Sequence, residues 1–370
     1  MTDFAVSWYP SDGLAALTQA LAAAMEGGPA VVIGPPPDHA IADTVALVVR
    51  TSGSTGTGGR PVALTAHALT ASADATHARL GGPGNWLLAL PPTHIGGLQV
   101  LLRALRAKTR SGFISLTDGF DPAELATGID GLDGGPAYLS LVPTQLYRAL
   151  QHSAATAALA RAQAVLIGGA HVPPDVAARA REAGINLVVT YGMTETSGGC
   201  IYDGRALDSV QVRTESDRVL ISGPVLAEGY LDDGPQPFTW ADGTRWLRTQ
   251  DLGFVDDAGT LHVLGRADEV LITGGIKVHP AQVERRLAPL LGEVVVVGVP
   301  DPEWGTLVTA VSTTDRPLTQ VRAFIGGGPA APRALVYLPT LPLRGPGKVD
   351  RREAARLAGA ALASGLGQRL

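Results

Sequence analysis

A chain of 370 residues is longer than one ordinary hydrophobic core organises, so length alone divides it into two or three domains. Hydrophobic residues make up 45% and charged residues 17%, with 46 Gly and 27 Pro, which excludes a disordered or fibrous chain and points to a loop-rich α/β globule. The 29 basic and 34 acidic side chains leave a net charge of −5, so there is no cationic excess to neutralise a nucleic-acid backbone. No apolar run approaches the roughly 20 residues that cross a bilayer, and the one cysteine, Cys200, has no internal partner. The expectation is no nucleic-acid partner, no membrane span and a reducing cytoplasm.

From Ile41 to about Val189 short apolar runs alternate with helical patterns, the rhythm of parallel strands joined by crossover helices. Thr44–Arg50 reads as a strand, Ala66–Leu80 as a helix, Trp86–Leu90 as a strand and Leu98–Ala107 as a helix. Strands follow at Phe113–Leu116, Ala137–Leu141, Ala164–Ile167 and Ile185–Thr190, with helices at Pro143–Leu150 and Pro174–Ala183 and a surface helix in Ala154–Ala164. Past Gly204 the texture changes to short strands with Gly, Asp and Pro turns, at Arg218–Ser222, Thr244–Arg248, Gly253–Val255 and Leu261–Leu264. Beyond Gly265–Glu269 come helices at Pro280–Leu291 and Leu318–Ile325 and strands at Glu293–Val299, Leu307–Thr313 and Ala334–Leu338. The expected fold class is α/β. A large N-terminal domain, 1–267, holds mainly parallel sheets with helices and a small β-rich subdomain, and a small α+β domain, 268–370, follows it.

Four segments carry chemistry. Thr51-Ser-Gly-Ser-Thr-Gly-Thr-Gly-Gly-Arg-Pro-Val62 follows a strand, and its glycines, hydroxyls and N–H groups suit phosphate oxygens. It lacks the Gly-Lys-Ser/Thr ending of a P-loop, and taken alone it suits a flexible surface loop equally well. Thr190-Tyr-Gly-Met-Thr-Glu-Thr-Ser-Gly-Gly-Cys200 also follows a strand and sets Glu195 where a carboxylate can hold Mg2+ against phosphate, or where a turn simply exposes it to water. Arg248-Thr-Gln-Asp-Leu-Gly253 alone is a β-turn, and Gly345-Pro-Gly-Lys-Val-Asp-Arg351 alone is a solvated basic tail.

In this order, from about Val45 to Arg351, the four resemble the adenylate-forming superfamily of acyl-CoA synthetases, firefly luciferase and the adenylation domains of peptide synthetases. The resemblance implies that a small-molecule carboxylate is activated with ATP and Mg2+ to an acyl-adenylate, then transferred to the thiol of coenzyme A or a pantetheine arm. It assigns Thr51, Ser52, Gly53, Ser54, Thr55, Gly56 and Thr57 to the phosphate loop, and Gly168, Gly169 and Ala170 to the segment against adenine. Within the motif Tyr191, Gly192, Met193, Thr194, Glu195, Thr196, Tyr191 stacks on adenine, Thr194 meets phosphate and Glu195 holds Mg2+. By the same resemblance Asp251 matches the acid that binds both ribose hydroxyls, with Arg266 as a second ribose or phosphate contact, and Lys348 matches the catalytic lysine. The resemblance also implies that Asp268 is the hinge on which a mobile terminal domain turns, bringing Gly274, Gly275 and Lys277 to the pantetheine tunnel. His94 belongs near the acyl group or that tunnel, and Ser197, Gly198 and Gly199 line the pocket floor.

One departure from the family pattern is Gly58-Gly-Arg-Pro61, where most relatives have Pro-Lys; Arg60 keeps the charge, but not the shape, of a lysine. The first motif comes early at Thr51, which implies a largely missing N-terminal subdomain. Together with Pro91–Leu98, Ser140–Leu146 and Gly192–Gly204, this is similar to the branch of the family that acts on o-succinylbenzoate in menaquinone biosynthesis. Another acyl- or aryl-CoA ligase, an enzyme loading a carrier protein, and a nucleotide-binding protein without chemistry are the competing readings. A homodimer is compatible with the resemblance, but no residue pattern specifies it.

Overall fold

The computed structural model describes residues 5–51, 59–328, 330–344 and 348–370, the side chains of Arg344 and Lys348 excepted. The chain forms two compact units, one of Met1–Arg213, Leu220–Thr249 and Asp257–Thr260, the other of Thr214–Val219, Gln250–Asp256 and Leu261–Leu370.

The first unit opens with Ala5–Trp8 (β1), Leu14–Met25 (α1), Ala30–Ile33 (β2), Val45–Arg50 (β3) and Pro61–Thr65 (β4). The elements ahead of Ile41 were not anticipated from sequence. Leu17, Leu21 and Ala24 recur at helical spacing and are the buried face of α1, while all four residues of β2 are buried. These strands form one sheet in the order β1-β2-β3-β4, extended by the short strand Gly229–Tyr230 on β4.

A second sheet follows. Its elements are Ala66–Leu80 (α2), Asn85–Leu88 (β5), Ile95–Ala107 (α3), Ser111–Phe113 (β6), Pro122–Asp130 (α4), Ala137–Leu141 (β7), Pro143–Ala149 (α5), Ser153–Arg161 (α6), Ala164–Ile167 (β8), Pro174–Glu182 (α7), Leu187–Met193 (β9), Gly198–Tyr202 (β10) and Arg205–Ala206 (β11). The strand order is β11-β10-β9-β8-β7-β5-β6, parallel from β6 through β9 and antiparallel beyond. The helix expected from Leu98 starts three residues earlier because Gly97 fits a turn so tight that a Cβ there would lie 2.4 Å from the Pro91 carbonyl oxygen. The helix expected to run to Ala164 ends at Arg161 and is not a purely surface one: Ala155, Ala158 and Leu159 enter the core of Leu, Ile, Val and Ala side chains under β7 and β8. Since β8 and β9 are parallel neighbours, Gly168 and Thr194 leave the sheet at the same carboxyl edge, where open α/β sheets bind ligands.

The strand Thr244–Val255 passes from the first unit into the second after Thr249 and runs through Arg248–Gly253, so that motif is strand and not a β-turn; its end pairs with Leu261–Arg266. A hairpin, Leu271–Thr273 with Ile276–Val278, then leads to a sheet of Val294–Asp301, Gly305–Ser312, Ala334–Tyr337 and Gln368–Arg369. Side chains alternate along Val294–Asp301: Val296 joins the core under the helix Pro280–Leu291, while Val295, Val297 and Val299 face the helix Arg351–Ala363. That last helix was not read from sequence. Asp350 caps it, accepting from the Arg352 and Glu353 backbone N–H groups, so the end of the basic stretch, Asp350–Arg351, starts a helix and is not a free tail. No helix among the described residues is long and apolar enough to cross a membrane.

Candidate active site

Residues Ser52, Gly53, Ser54, Thr55, Gly56 and Thr57 lie outside the described residues; the residues flanking that stretch, Thr51 and Gly59–Arg60, do not. The Thr51 N–H donates to the Arg60 carbonyl at 2.9 Å, the Arg60 N–H donates back to Thr51 Oγ1 at 3.0 Å, and Arg50 Nη1 reaches the Gly59 carbonyl at 3.1 Å. Gly59 is obligatory here, because an added Cβ would sit 1.5 Å from the Thr51 carbonyl oxygen. Arg60 turns its guanidinium onto Asp232, with Nε on Oδ2 at 2.8 Å and Nη2 on Oδ1, and onto the Pro235 carbonyl at 2.9 Å. Its central carbon sits over the Tyr230 ring, 3.6 Å from the centroid. The Asp232 hydrogen bond raises the pKa of Arg60 and holds that of Asp232 below the usual carboxylate range.

The Glu195 motif is a single 3-10 turn, Thr194–Thr196, between β9 and β10. Thr194, Glu195, Thr196 and Ser197 are all buried. Three contacts fix the turn. Thr196 Oγ1 accepts from the Met193 N–H at 2.9 Å, Ser197 takes the left-handed conformation at φ 52°, and its carbonyl accepts from Ser72 Oγ at 3.1 Å and Gln99 Nε2 at 2.6 Å. Gly192 and Gly199 face each other across the two strands, close enough that a Cβ on Gly192 would meet the Gly198 carbonyl oxygen at 2.1 Å. Glu195 Oε1 accepts from the Tyr230 hydroxyl at 2.5 Å, and the Glu195 carbonyl accepts from the Ala227 N–H at 2.8 Å. Burial, followed by the Glu195 charge, pushes the Tyr230 pKa up, so the phenol stays protonated and donates.

Gly168 leaves β8 beside Thr190, whose Oγ1 would lie 2.5 Å from a Cβ at that position. Gly169 has φ +81° and Ala170 is exposed, while Tyr191 is half-buried on β9 next to Gly192. His94 occupies the N-cap of α3, and its carbonyl accepts from the Gly97 and Leu98 N–H groups. One and two turns further along α3 are Gln99 and Arg103, which sequence reasoning missed. Arg103 is 3% exposed, lies 4.9 Å over the Trp86 ring and donates to the Tyr202 hydroxyl at 3.3 Å. It has no carboxylate partner among the described residues, and its Nε, like Gln99 Oε1, is buried without a hydrogen bond. Four-residue spacing from Gln99 was the available signal, masked by the otherwise apolar run of the helix. Cys200 is fully buried at the bulge of β10, and burial pushes its thiol up to about 12, an inert packing group.

The second unit keeps its own share of the assigned residues. Asp251 stands opposite Arg266 in register, with Arg266 Nη1 4.0 Å from Asp251 Oδ1. Arg266 also forks onto Asp268 at 2.9 and 2.7 Å. Burial works against the Arg266 charge, and Asp268 and Asp251 outweigh it. Gly274 and Gly275, at φ 52° and 80°, turn the short hairpin, and Lys277 is exposed on it. Lys348 pairs through its backbone with Arg344, and its ammonium lies outside the described residues. Three residues on, Arg351 binds Glu284 at 2.5 and 2.8 Å and Glu269 at 3.1 Å, which ties the lysine-bearing strand to the Ala267–Glu269 turn.

No group of three or more acidic, His or Cys side chains suited to a metal occurs among the described residues. Mg2+ does not need one. It is commonly held by one or two carboxylates together with substrate phosphates, and Glu195, bonded through Oε1 alone among the described residues, leaves Oε2 for that purpose. Its burial beneath a glycine-lined sheet edge fits the ion on a nucleotide better than a dedicated protein cage.

An open α/β sheet with a buried acid at its carboxyl edge is an arrangement in which ligands commonly bind. Residues 8–231 match the AMP-binding enzyme family. A protein of Mycobacterium tuberculosis described as a probable 2-succinylbenzoate–CoA ligase is 47% identical over 330 residues, 85% of each chain. The 2-succinylbenzoate–CoA ligase of Enterococcus faecalis is 30% identical over 305 residues, 75% of this chain and 61% of that one. Among solved structures, the o-succinylbenzoate CoA synthetase of Bacillus subtilis in complex with its acyl-adenylate intermediate gives a TM-score of 0.74 at 25% identity, over 84% of this chain and 69% of that one. The chain belongs to the AMP-binding enzyme family, and its α/β fold is the family's.

Proposed function

We propose that this chain is an AMP-forming acid–thiol ligase that activates o-succinylbenzoate with ATP and passes it to coenzyme A. A carboxylate oxygen attacks the α-phosphorus and the bond to pyrophosphate breaks; the CoA thiolate then attacks the acyl carbon and AMP leaves. When bound, Mg2+ would supply charge neutralisation at the phosphates, held by Glu195 Oε2. Tyr191 and Gly168–Ala170 receive the base, Thr51 and Thr194 the phosphates, and Asp251 with Arg266 the ribose. Lys348 brings an ammonium to the charge that gathers in the first step, the kind of preorganised electrostatics that lowers barriers most. His94 and Ser197–Gly199 bound the acyl pocket.

The observation that carries the choice of acid is Arg103. A fully buried guanidinium without a carboxylate is costly, and o-succinylbenzoate has a second carboxylate that is not consumed. We assign that carboxylate to Arg103, with Gln99 beside it. The setting is the cytoplasm, where ATP and CoA are supplied, and a homodimer is part of the same proposal. Pyrophosphate release over a panel of acids tests the assignment: kcat/KM for o-succinylbenzoate is expected to exceed that for benzoate or octanoate by about a hundredfold, because only it satisfies the buried cation. Equal values across the panel would leave a general acyl-CoA ligase or a carrier-loading enzyme as the better reading.

A further inference from the structure

We propose that Tyr230 is the positioning residue of Glu195, and that the Arg60–Asp232 pair acts on the metal site by bracing Tyr230 rather than by touching pyrophosphate. The inference rests on the reading of Glu195 as the Mg2+-binding acid. Three observations converge. The Tyr230 hydroxyl is the one hydrogen-bond donor to the Glu195 carboxylate among the described residues, at 2.5 Å, and it engages Oε1 and not Oε2. The other face of the connection is Arg60, whose guanidinium carbon sits over the Tyr230 ring, 3.6 Å from its centroid. The nitrogens of that guanidinium are themselves engaged by Asp232 and the Pro235 carbonyl, so the cation is oriented by the protein and not held in reserve for a ligand.

The segment that carries Tyr230 is built to be rigid. Gly229 and Tyr230 pair with Ala63 and Val62, three and two positions after Arg60 in the chain. The Gln236 side chain closes the following turn on itself, accepting from the Tyr230 N–H at 2.8 Å and donating to the Tyr230 carbonyl at 3.0 Å. Gly234 donates to Asp232 Oδ1 at 2.9 Å and leaves room for Arg60, since a Cβ there would meet Nη2 at 2.6 Å. Three residues before Tyr230, the Ala227 N–H holds the Glu195 carbonyl. One segment therefore grips both the backbone and the side chain of the acid. An unbraced carboxylate samples several rotamers, and fixing it before the ion arrives removes that ordering cost from binding; partners that orient a metal-binding group commonly change affinity by about 10- to 100-fold. A lysine in place of Arg60 offers neither the planar fork for Asp232 nor the flat cover for the ring, which is why the departure from Pro-Lys matters.

The test uses Mn2+ in place of Mg2+, with electron paramagnetic resonance to count free ion in the presence of ATP and thermal unfolding without ligand as a control. Tyr230→Phe keeps the ring and loses only the hydroxyl; it is expected to weaken ATP-dependent Mn2+ binding about tenfold. Arg60→Gln is expected to weaken it about threefold with the hydroxyl intact, and Arg60→Lys is expected not to restore it. In the Glu195→Gln background, Tyr230→Phe should have no further effect, because a positioning residue has nothing left to position. If Glu195→Gln itself leaves Mn2+ binding unchanged, the metal reading fails and this inference with it. If Glu195→Gln weakens binding while Tyr230→Phe leaves it unchanged or tightens it, the metal reading stands and the positioning role is overturned. Should Tyr230→Phe lower the unfolding temperature too far to be assayed, the two Arg60 variants decide: wild-type Mn2+ affinity in both overturns the brace.

Discussion

Arg103 and His77 share the interior beside Trp86, and their charges compete. His77 is 6% exposed, its ring lies 6.2 Å from that of Trp86, and burial first and the Arg103 charge second lower its pKa. The ordinary value is about 6.5, so the unfolded chain takes up a proton on His77 at a higher pH than the folded one. The stability contributed by keeping it neutral is therefore complete above about pH 6.5 and is lost as pH falls from there towards the lowered folded value. The urea midpoint is expected to drop between pH 7.5 and 5.5, and His77→Gln to flatten that slope; parallel slopes in the two proteins would show that His77 stays out of the linkage. At this scale the sequence was a partial guide. Glu195, Asp251 and Arg266 were singled out because each stands in a local motif, whereas Tyr230, 35 positions from Glu195, meets it only through folding and has no spacing to betray it. Arg103 was hidden differently, as one polar residue in an apolar helix.

Elements were most legible where periodicity and burial agree. Ala66–Leu80, Ala137–Leu141, Ala164–Ile167, Arg218–Ser222 and Pro280–Leu291 have the bounds that their patterns predict. Failures occurred where packing overrode local preference. Two glycines at the start of α3 argued against helix, yet the tight turn at Pro91 requires the second of them; Asp and Gly within Arg248–Gly253 argued for a turn, yet pairing with Leu261–Arg266 keeps the strand going. The hairpin of β9 and β10 shows the same dependence in a form that can be measured. Its glycines permit a backbone approach that no side chain tolerates, and the Glu195 turn sits at its tip. Gly192→Ala is expected to cost about 1–3 kcal/mol in urea unfolding, by forcing the strands apart, and to weaken MgATP binding in the same variant. Unchanged nucleotide affinity at reduced stability would separate the hairpin from the site.

At the scale of the molecule, the residues assigned to one reaction are divided between two units with cores of their own, and residues 268–370 make up most of the second, which also holds Asp251 and Arg266. We propose that residues 268–370 turn about Asp268 between the two half-reactions, Lys348 serving the first and the Gly274–Lys277 hairpin the second. The turn Ala267–Glu269 is a physically sensible pivot: it is short, no residue in it is buried, and it is gripped from both sides by side chains, Arg266 on Asp268 and Arg351 on Glu269. Arg351 also binds Glu284, so the lysine-bearing strand is linked to the pivot and to the helix Pro280–Leu291 as one piece, suited to rigid-body rotation. Proline at 268 would fix φ near −65° and stop the turn, whereas alanine would remove the carboxylate and leave the backbone free. Measured separately as adenylate formation and as thioester formation from supplied adenylate, Asp268→Pro is expected to lose one step by about a hundredfold and Asp268→Ala neither, since only the proline traps a pose. Lys348→Ala is expected to lose adenylate formation alone. Equal slowing of both steps by Asp268→Pro, or the same selective loss in Asp268→Ala, would mean that the turn is a structural joint and that a fixed arrangement of the two units performs both reactions.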